Sequence, residues 1–189
     1  MAASRKGSFQ KRSKIYSVMG HCQQKEFSSL RVKVITVSDS RDLDSDKSGT
    51  LICEKLVAAG HIITSREVVV DTIDKIRHAL NHAIGDEQAQ AIILNGGTGV
   101  TPRDQTPEAI EPLFDKHLPG FGELFRHLSF SEIGAATIQS RATAGMMNGA
   151  VVFSLPGSTS ACRLALDEII LPQLDARTKP CSFSALLGL

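Results

Sequence analysis

From Arg31 onward the chain alternates short runs rich in β-branched residues with stretches of helical periodicity, and this alternation narrows the choice of fold more than any other feature. Strands separated by crossover helices pair as parallel neighbours. The pattern therefore predicts an α/β domain with a mostly parallel sheet and helices on both faces. Residues 32–37 (VKVITV) read as the first strand and residues 48–59 as the first helix, with Ile52, Leu56 and Ala59 on one face and Gly60 closing it. Residues 61–70 predict a second strand, 72–84 a second helix, and 91–94 a short apolar strand of the kind covered on both faces. Thr106-Pro107-Glu108 opens another helix, with Thr106 as cap and proline in first position. A helical pattern over 122–130, a buried strand at 150–154 and a helix over 161–171 ended by Pro172 complete the reading.

Size and composition agree with one domain. The 189 residues are 42% hydrophobic, enough for a buried core and too many for a disordered or collagen-like chain. Cys22, Cys53, Cys162 and Cys181 form no CxxC pair, which favours reduced thiols over a disulfide framework or a zinc site, with Cys53 and Cys162 simply packing. No apolar stretch reaches the ~18–20 residues needed to cross a bilayer, and no secretory leader is visible, so a cytoplasmic protein is expected. Residues 1–30 carry six Lys/Arg against one acid, leaving 15 basic and 19 acidic groups for residues 31–189. The first segment is too poor in apolar residues to offset its ordering entropy and is expected to be a disordered basic extension. The slightly acidic body is the wrong background for a phosphate-backbone binder, so no nucleic-acid partner is expected and any anionic ligand must be held by local geometry.

In open parallel sheets ligands bind beyond the carboxyl ends of the strands, and polar residues collect there. The first strand is followed by Ser38-Asp39-Ser40, the second by Asp71, the third by Gly96-Gly97-Thr98-Gly99, and the strand at 150–154 by Pro156-Gly157-Ser158. A glycine-rich turn lets backbone N–H groups converge on a phosphate, and a helix start after Ser158 offers a second cradle. Neither GxxxxGK[ST] nor GxGxxG is present, which argues against a Walker ATPase or a Rossmann dehydrogenase. Asp71 and Asp104 are placed to hold Mg²⁺ beside such cradles, although a turn would also select the first and a helix start the second. Arg103 would clamp a phosphate or pair with Asp104. Asp42, Asp44 and Asp46 imitate a calcium loop, but Lys47 and Cys53 occupy its glycine and glutamate positions. His78 and His82 lack the glutamate of a zinc helix and read as surface residues. The apolar stretch of Phe114, Leu118, Phe121, Leu124, Phe125, Leu128 and Phe130 reads first as core, with any surplus available to a subunit interface.

Taken in order, Gly96-Gly97-Thr98-Gly99, Arg103-Asp104-Gln105-Thr106-Pro107-Glu108-Ala109, Pro119-Gly120-Phe121-Gly122-Glu123 and Leu155-Pro156-Gly157-Ser158 strongly resemble the MoaB/MogA family of molybdenum cofactor biosynthesis. Ser140-Arg141-Ala142 and the segment 170–177 resemble the MoaB branch more than MogA. The resemblance implies a molybdopterin-binding α/β domain whose catalytic members transfer AMP from Mg-ATP to the terminal phosphate of molybdopterin and release pyrophosphate. It carries the two family aspartates, with their magnesium, onto Asp71 and Asp104. Its ligand-binding elements fall on Ser38, Asp39, Asp46, Ser48, Gly49, Gly96, Gly97, Thr98, Gly99, Arg103, Thr106, Glu108, Pro156, Gly157 and Ser158. Homohexamers built from trimers, or trimers, are implied, with the metal-insertion enzyme of the pathway as a further partner. Not every MoaB-type member is an active enzyme, so a molybdopterin carrier or scaffold is the alternative.

Overall fold

In the structure, a computed structural model, residues 26–185 and residue 187 are described. Six strands form one sheet, and their ranges are β1 Arg31–Val37, β2 Ile62–Val69, β3 Ala91–Asn95, β4 Lys116–His117, β5 Thr143–Met147 and β6 Ala150–Leu155. Their order across the sheet is β2-β1-β3-β6-β5-β4, with β2, β1, β3 and β6 parallel and the β5 and β4 end antiparallel. The helices are α1 Lys47–Ala58, α2 Ile73–Gly85, α3 Thr106–Ile110, α4 Pro119–Ile133, α5 Thr159–Ala165 and α6 Leu171–Leu174.

The central strands read as unbroken apolar runs because both their faces are covered. Val32 and Val34 of β1, Ile93 of β3 and Phe153 of β6 point into a core with Ile52 and Leu56 of α1, Phe125 of α4 and Cys162 of α5. Ile35, Ile92, Leu94 and Val152, on alternate positions, meet Ile76, Ala79, Leu80 and Ala83 of α2 and Ile110 of α3 on the other face. That two-residue alternation against i, i+3, i+4, i+7 spacing fixes the layers, and each fully buried Leu or Ile contributes about 1.5–3 kcal/mol. Gly60, at φ +92, ends α1 in the left-handed conformation and turns the chain into β2.

Several boundaries differ from the sequence reading for identifiable reasons. Thr106 does not cap α3: it is the first helical residue, follows Gln105, and its hydroxyl donates 3.0 Å to the Gly96 carbonyl. Pro172 does not end the last helix, because a π turn over Leu166–Ile170 relays α5 into α6. The antiparallel strands β4 and β5 carry one β-branched residue between them, Thr143. Gly145 of β5 instead makes room for Phe114, whose ring lies 2.2 Å from where a Cβ would be.

Residues 1–25, most of the basic extension, lie outside the described residues. The packed body reaches back past Arg31: Leu30 is fully buried, its N–H donates 3.3 Å to His61 Nδ1, and Phe27 lies 5.4 Å from the His61 ring and beneath Arg177. Cys162 is buried and Cys53 half-buried, and Cys53, Cys162 and Cys181 are free thiols. Both His78 and His82 are exposed. No helix among the described residues is long and apolar enough to cross a membrane.

Candidate functional site

The turn after β3 must pass between the exits of β1 and β6, which leaves room for little but backbone. Gly96 has φ +103, its N–H donates 2.9 Å to the Leu155 carbonyl, and an added Cβ would lie 2.1 Å from the Val37 carbonyl oxygen. Gly97 has φ +63, and its Cβ would fall 2.3 Å from Thr106 Oγ1 and 2.6 Å from Asp71 Oδ2. A Cβ on Gly99 would fall 2.8 Å from Asp104 Oδ2. The glycines therefore allow two carboxylates, 33 positions apart in the chain, to close on one turn.

Their surroundings push the two acids in opposite directions. Burial raises the Asp71 pKa; an N–H from Gln105, at 3.2 Å, works against this, and the nearby charges of Asp104 and Glu108 add to the rise. Burial also acts to raise Asp104, but Thr101 outweighs it with its hydroxyl at 2.6 Å and its N–H at 3.0 Å, and the net direction is down. Arg141 ties the turn from the β5 side: its N–H donates 3.2 Å to the Thr98 carbonyl and its guanidinium donates to the carbonyls of Gly99 (2.6 Å) and Asp104 (2.8 Å) while pairing with Glu108.

A cleft of about 420 Å³ opens above this turn, within the range of small-molecule sites. Ser38, Gly96, Gly97, Thr98, Gly99, Asp104, Pro156, Gly157 and Ser158 line it, as their positions at the strand exits predict. Its other wall is the end of α4 and the following 3₁₀ turn, from Phe125 to Ser140.

The other expected ligand residues do not line the cleft. Asp46 is fully buried: its carboxylate accepts from Thr36 Oγ1 at 2.6 Å and from the Gly49 N–H at 2.9 Å, capping α1, so it holds the scaffold and does not face a ligand. Gly49 is glycine because a Cβ would strike that carboxylate at 2.0 Å. Ser48, also buried, donates to Asn95 Oδ1 at 2.9 Å and accepts from Arg41 at 3.0 Å. Asp39 accepts the Asp71 N–H at 3.1 Å and pairs with Arg103, which therefore engages Asp39 and not Asp104. Thr106 is buried under the turn, and Glu108 pairs with Arg141 outside the cleft. Asp71, 8% exposed, touches the turn from below.

The sequence reading missed Arg41, which lines the cleft and bridges Ser48 to the Gly157 carbonyl (3.2 Å), and Arg141, which was noted only within a branch-like tripeptide. Arg41 bonds Gly157 116 positions away and Arg141 bonds Gly99 42 positions away, so no local spacing marks these contacts.

Among the described residues no group of three or more His, Cys, Asp or Glu side chains is placed to hold a metal ion by itself. Two hard carboxylate ligands gathered on a glycine turn nevertheless fit Mg²⁺, which takes one or two carboxylates and completes its shell with water and phosphate oxygens.

An open α/β sheet with a glycine-floored, acid-bearing cleft at its carboxyl edge defines a domain built to bind a small anionic ligand. Residues 33–176 match the family described as "Probable molybdopterin binding domain". The chain is 46% identical over 158 residues to Molybdenum cofactor biosynthesis protein B of Escherichia coli K12 (84% of this chain, 93% of the relative) and 52% identical over 146 residues to the protein of that name from Bacillus subtilis (77% and 86%). Among solved structures, a Molybdenum cofactor biosynthesis protein B superposes with TM-score 0.77 at 45% identity, covering 79% of this chain and 94% of that one. The tungsten cofactor synthesizing protein MoaB of Pyrococcus furiosus superposes at 0.69 and 43% identity, covering 75% and 91%. The chain belongs to the MoaB/MogA family of molybdopterin-binding proteins, on its MoaB branch.

Proposed function

We propose that the chain acts in molybdenum cofactor biosynthesis as a molybdopterin adenylyltransferase, transferring AMP from Mg-ATP to the terminal phosphate of molybdopterin with release of pyrophosphate. The observation that carries this reading is the placement of Asp104 on the lining of the cleft, with Asp71 set against the same Gly97–Gly99 turn from beneath. Transfer between phosphates asks a protein for positioning and charge neutralisation and little covalent chemistry, and the cleft supplies both. The glycine turn brings main chain to the surface of the cleft, and Ser38, Arg41 and Ser158, which line it too, would offer hydroxyl and guanidinium donors to phosphate oxygens. Arg141 holds the turn in register by bonding the Thr98 and Gly99 carbonyls. Asp71 and Asp104 would hold magnesium, which when bound offsets charge on the pyrophosphate leaving group.

The carrier reading has one observation in its favour: Asp71 is nearly buried and reaches the floor from beneath. Incubation with molybdopterin, ATP and Mg²⁺ separates the two. Pyrophosphate released in proportion to adenylylated pterin supports the transferase, and tight pterin binding without pyrophosphate supports the carrier. Self-association belongs to the same proposal. Phe130 and Ile138 are 60% and 83% exposed, apolar surface suited to a homohexamer or trimer, and sedimentation of a monomer would contradict it.

A further inference from the structure

The cleft contains one charge that a phosphate-binding site does not explain. Its serines, its glycine turn and Arg41 all suit an anion, yet Glu132, in the last turn of α4, also lines it. Glu132 forms no ion pair among the described residues, so its negative charge stands uncompensated in a cleft for anionic ligands. On the same wall lies the half-exposed Ile133, backed by the buried Phe125, an apolar surface against which a flat ring can pack.

Resting on the reading that a pterin occupies this cleft, we propose that Glu132 is a specificity residue that reads the 2-amino-4-oxo edge of the pterin and assigns the ring to the α4 wall. A carboxylate offers two acceptors and no donor. The pyrimidine edge of a pterin presents N3–H and the 2-amino N–H side by side, a donor pair that a carboxylate accepts bidentately in the way it accepts a guanidinium. Adenine places an N6 donor beside the N1 acceptor, so the same carboxylate meets one lone pair head on. Glu132 therefore favours pterin over adenine on this wall and leaves the nucleotide the side of Arg41 and the serines. The charge that would repel a phosphate becomes the feature that sets which end of the substrate enters where.

The test is a change of preference. 6-Hydroxymethylpterin phosphate and its lumazine counterpart, which carries an oxygen in place of the 2-amino group, are both fluorescent and can be titrated into the full-length protein. Wild type is expected to prefer the pterin by about 10-fold, the factor that one charge-assisted hydrogen bond supplies. In Glu132→Gln the amide keeps an acceptor for N3–H and gains a donor for the lumazine 2-oxo group, so the preference should collapse or invert. Glu132 is exposed, and thermal unfolding should be unchanged. A Gln variant that keeps the wild-type preference overturns the proposal. So does a wild type that releases pyrophosphate from molybdopterin while ignoring the 2-amino group, a result that leaves adenylyl transfer standing. An inverted preference in a protein that releases no pyrophosphate supports Glu132 and removes the transferase reading.

Discussion

Gly97→Ala should damage stability and turnover together, because the missing side chain is what lets the floor of the cleft form. Gly97 sits at φ +63, where an L residue with a Cβ costs about 1–2 kcal/mol. The new Cβ would lie 2.3 Å from Thr106 Oγ1 and 2.6 Å from Asp71 Oδ2, inside any tolerable contact. Thr106 is buried, and moving its hydroxyl breaks the 3.0 Å bond to the Gly96 carbonyl and strands a polar group at about 1–3 kcal/mol. The expected loss is about 2–5 kcal/mol, a large part of a typical domain's stability of about 5–15 kcal/mol. Asp71 must shift as well, and pyrophosphate release should fall by about 10²-fold. Gly85→Ala is the matched control: it lies in the last turn of α2 with nothing within 4 Å of the new carbon, and should gain about 0.5–1 kcal/mol. Urea unfolding followed by circular dichroism, with pyrophosphate release on the same preparations, measures both. Gly97→Ala with stability within about 0.5 kcal/mol of wild type and unchanged turnover would refute the reasoning.

Asp104→Asn should lower pyrophosphate release by at least about 10²-fold while sparing pterin binding, as read by fluorescence titration; unchanged turnover would take Asp104 out of the mechanism. Acid should destabilise the protein through Glu87. Burial acts to raise its pKa, but hydrogen bonds from Lys33, Thr64 and Ser65 outweigh this and hold it at about 2 against an ordinary 4.5. Stability from this group is thus complete above pH 4.5 and is lost as pH falls toward 2, amounting to about 2–3 kcal/mol. Glu87→Gln should flatten that part of the urea-derived stability profile; an unaltered slope would exclude the group. Native alkylation at pH 8 should label exposed Cys181 well before Cys162, whose thiol burial pushes up to about 12; equal rates by mass spectrometry would contradict the packing.

The parallel core and the ligand edge were legible in the sequence because both come from local pattern. VKVITV reads as a strand and AIIL as one covered on both faces, and the residues after the strands share one edge of a parallel sheet. Asp71 and Asp104 could be singled out because position at an element end is a sequence property. The partners were not. Arg103 reaches Asp39 across 64 positions and Arg41 reaches Gly157 across 116, and nothing in either neighbourhood marks them. Asp46 entered as a ligand residue through the family resemblance alone, and its complete burial as the cap of α1 turns it away from the cleft. The antiparallel edge escaped because TAGMM is shaped around the Phe114 ring, a tertiary demand that removes the β-branched signal.

Binding of Mn²⁺ in place of Mg²⁺, followed by electron paramagnetic resonance in the presence of ATP, tests most directly whether the two acids share a divalent ion. Wild type should immobilise the ion on the protein, and a folded variant with both Asp71→Asn and Asp104→Asn should leave it in the rapidly tumbling Mn²⁺–ATP complex. Equal immobilisation by that variant would contradict the account.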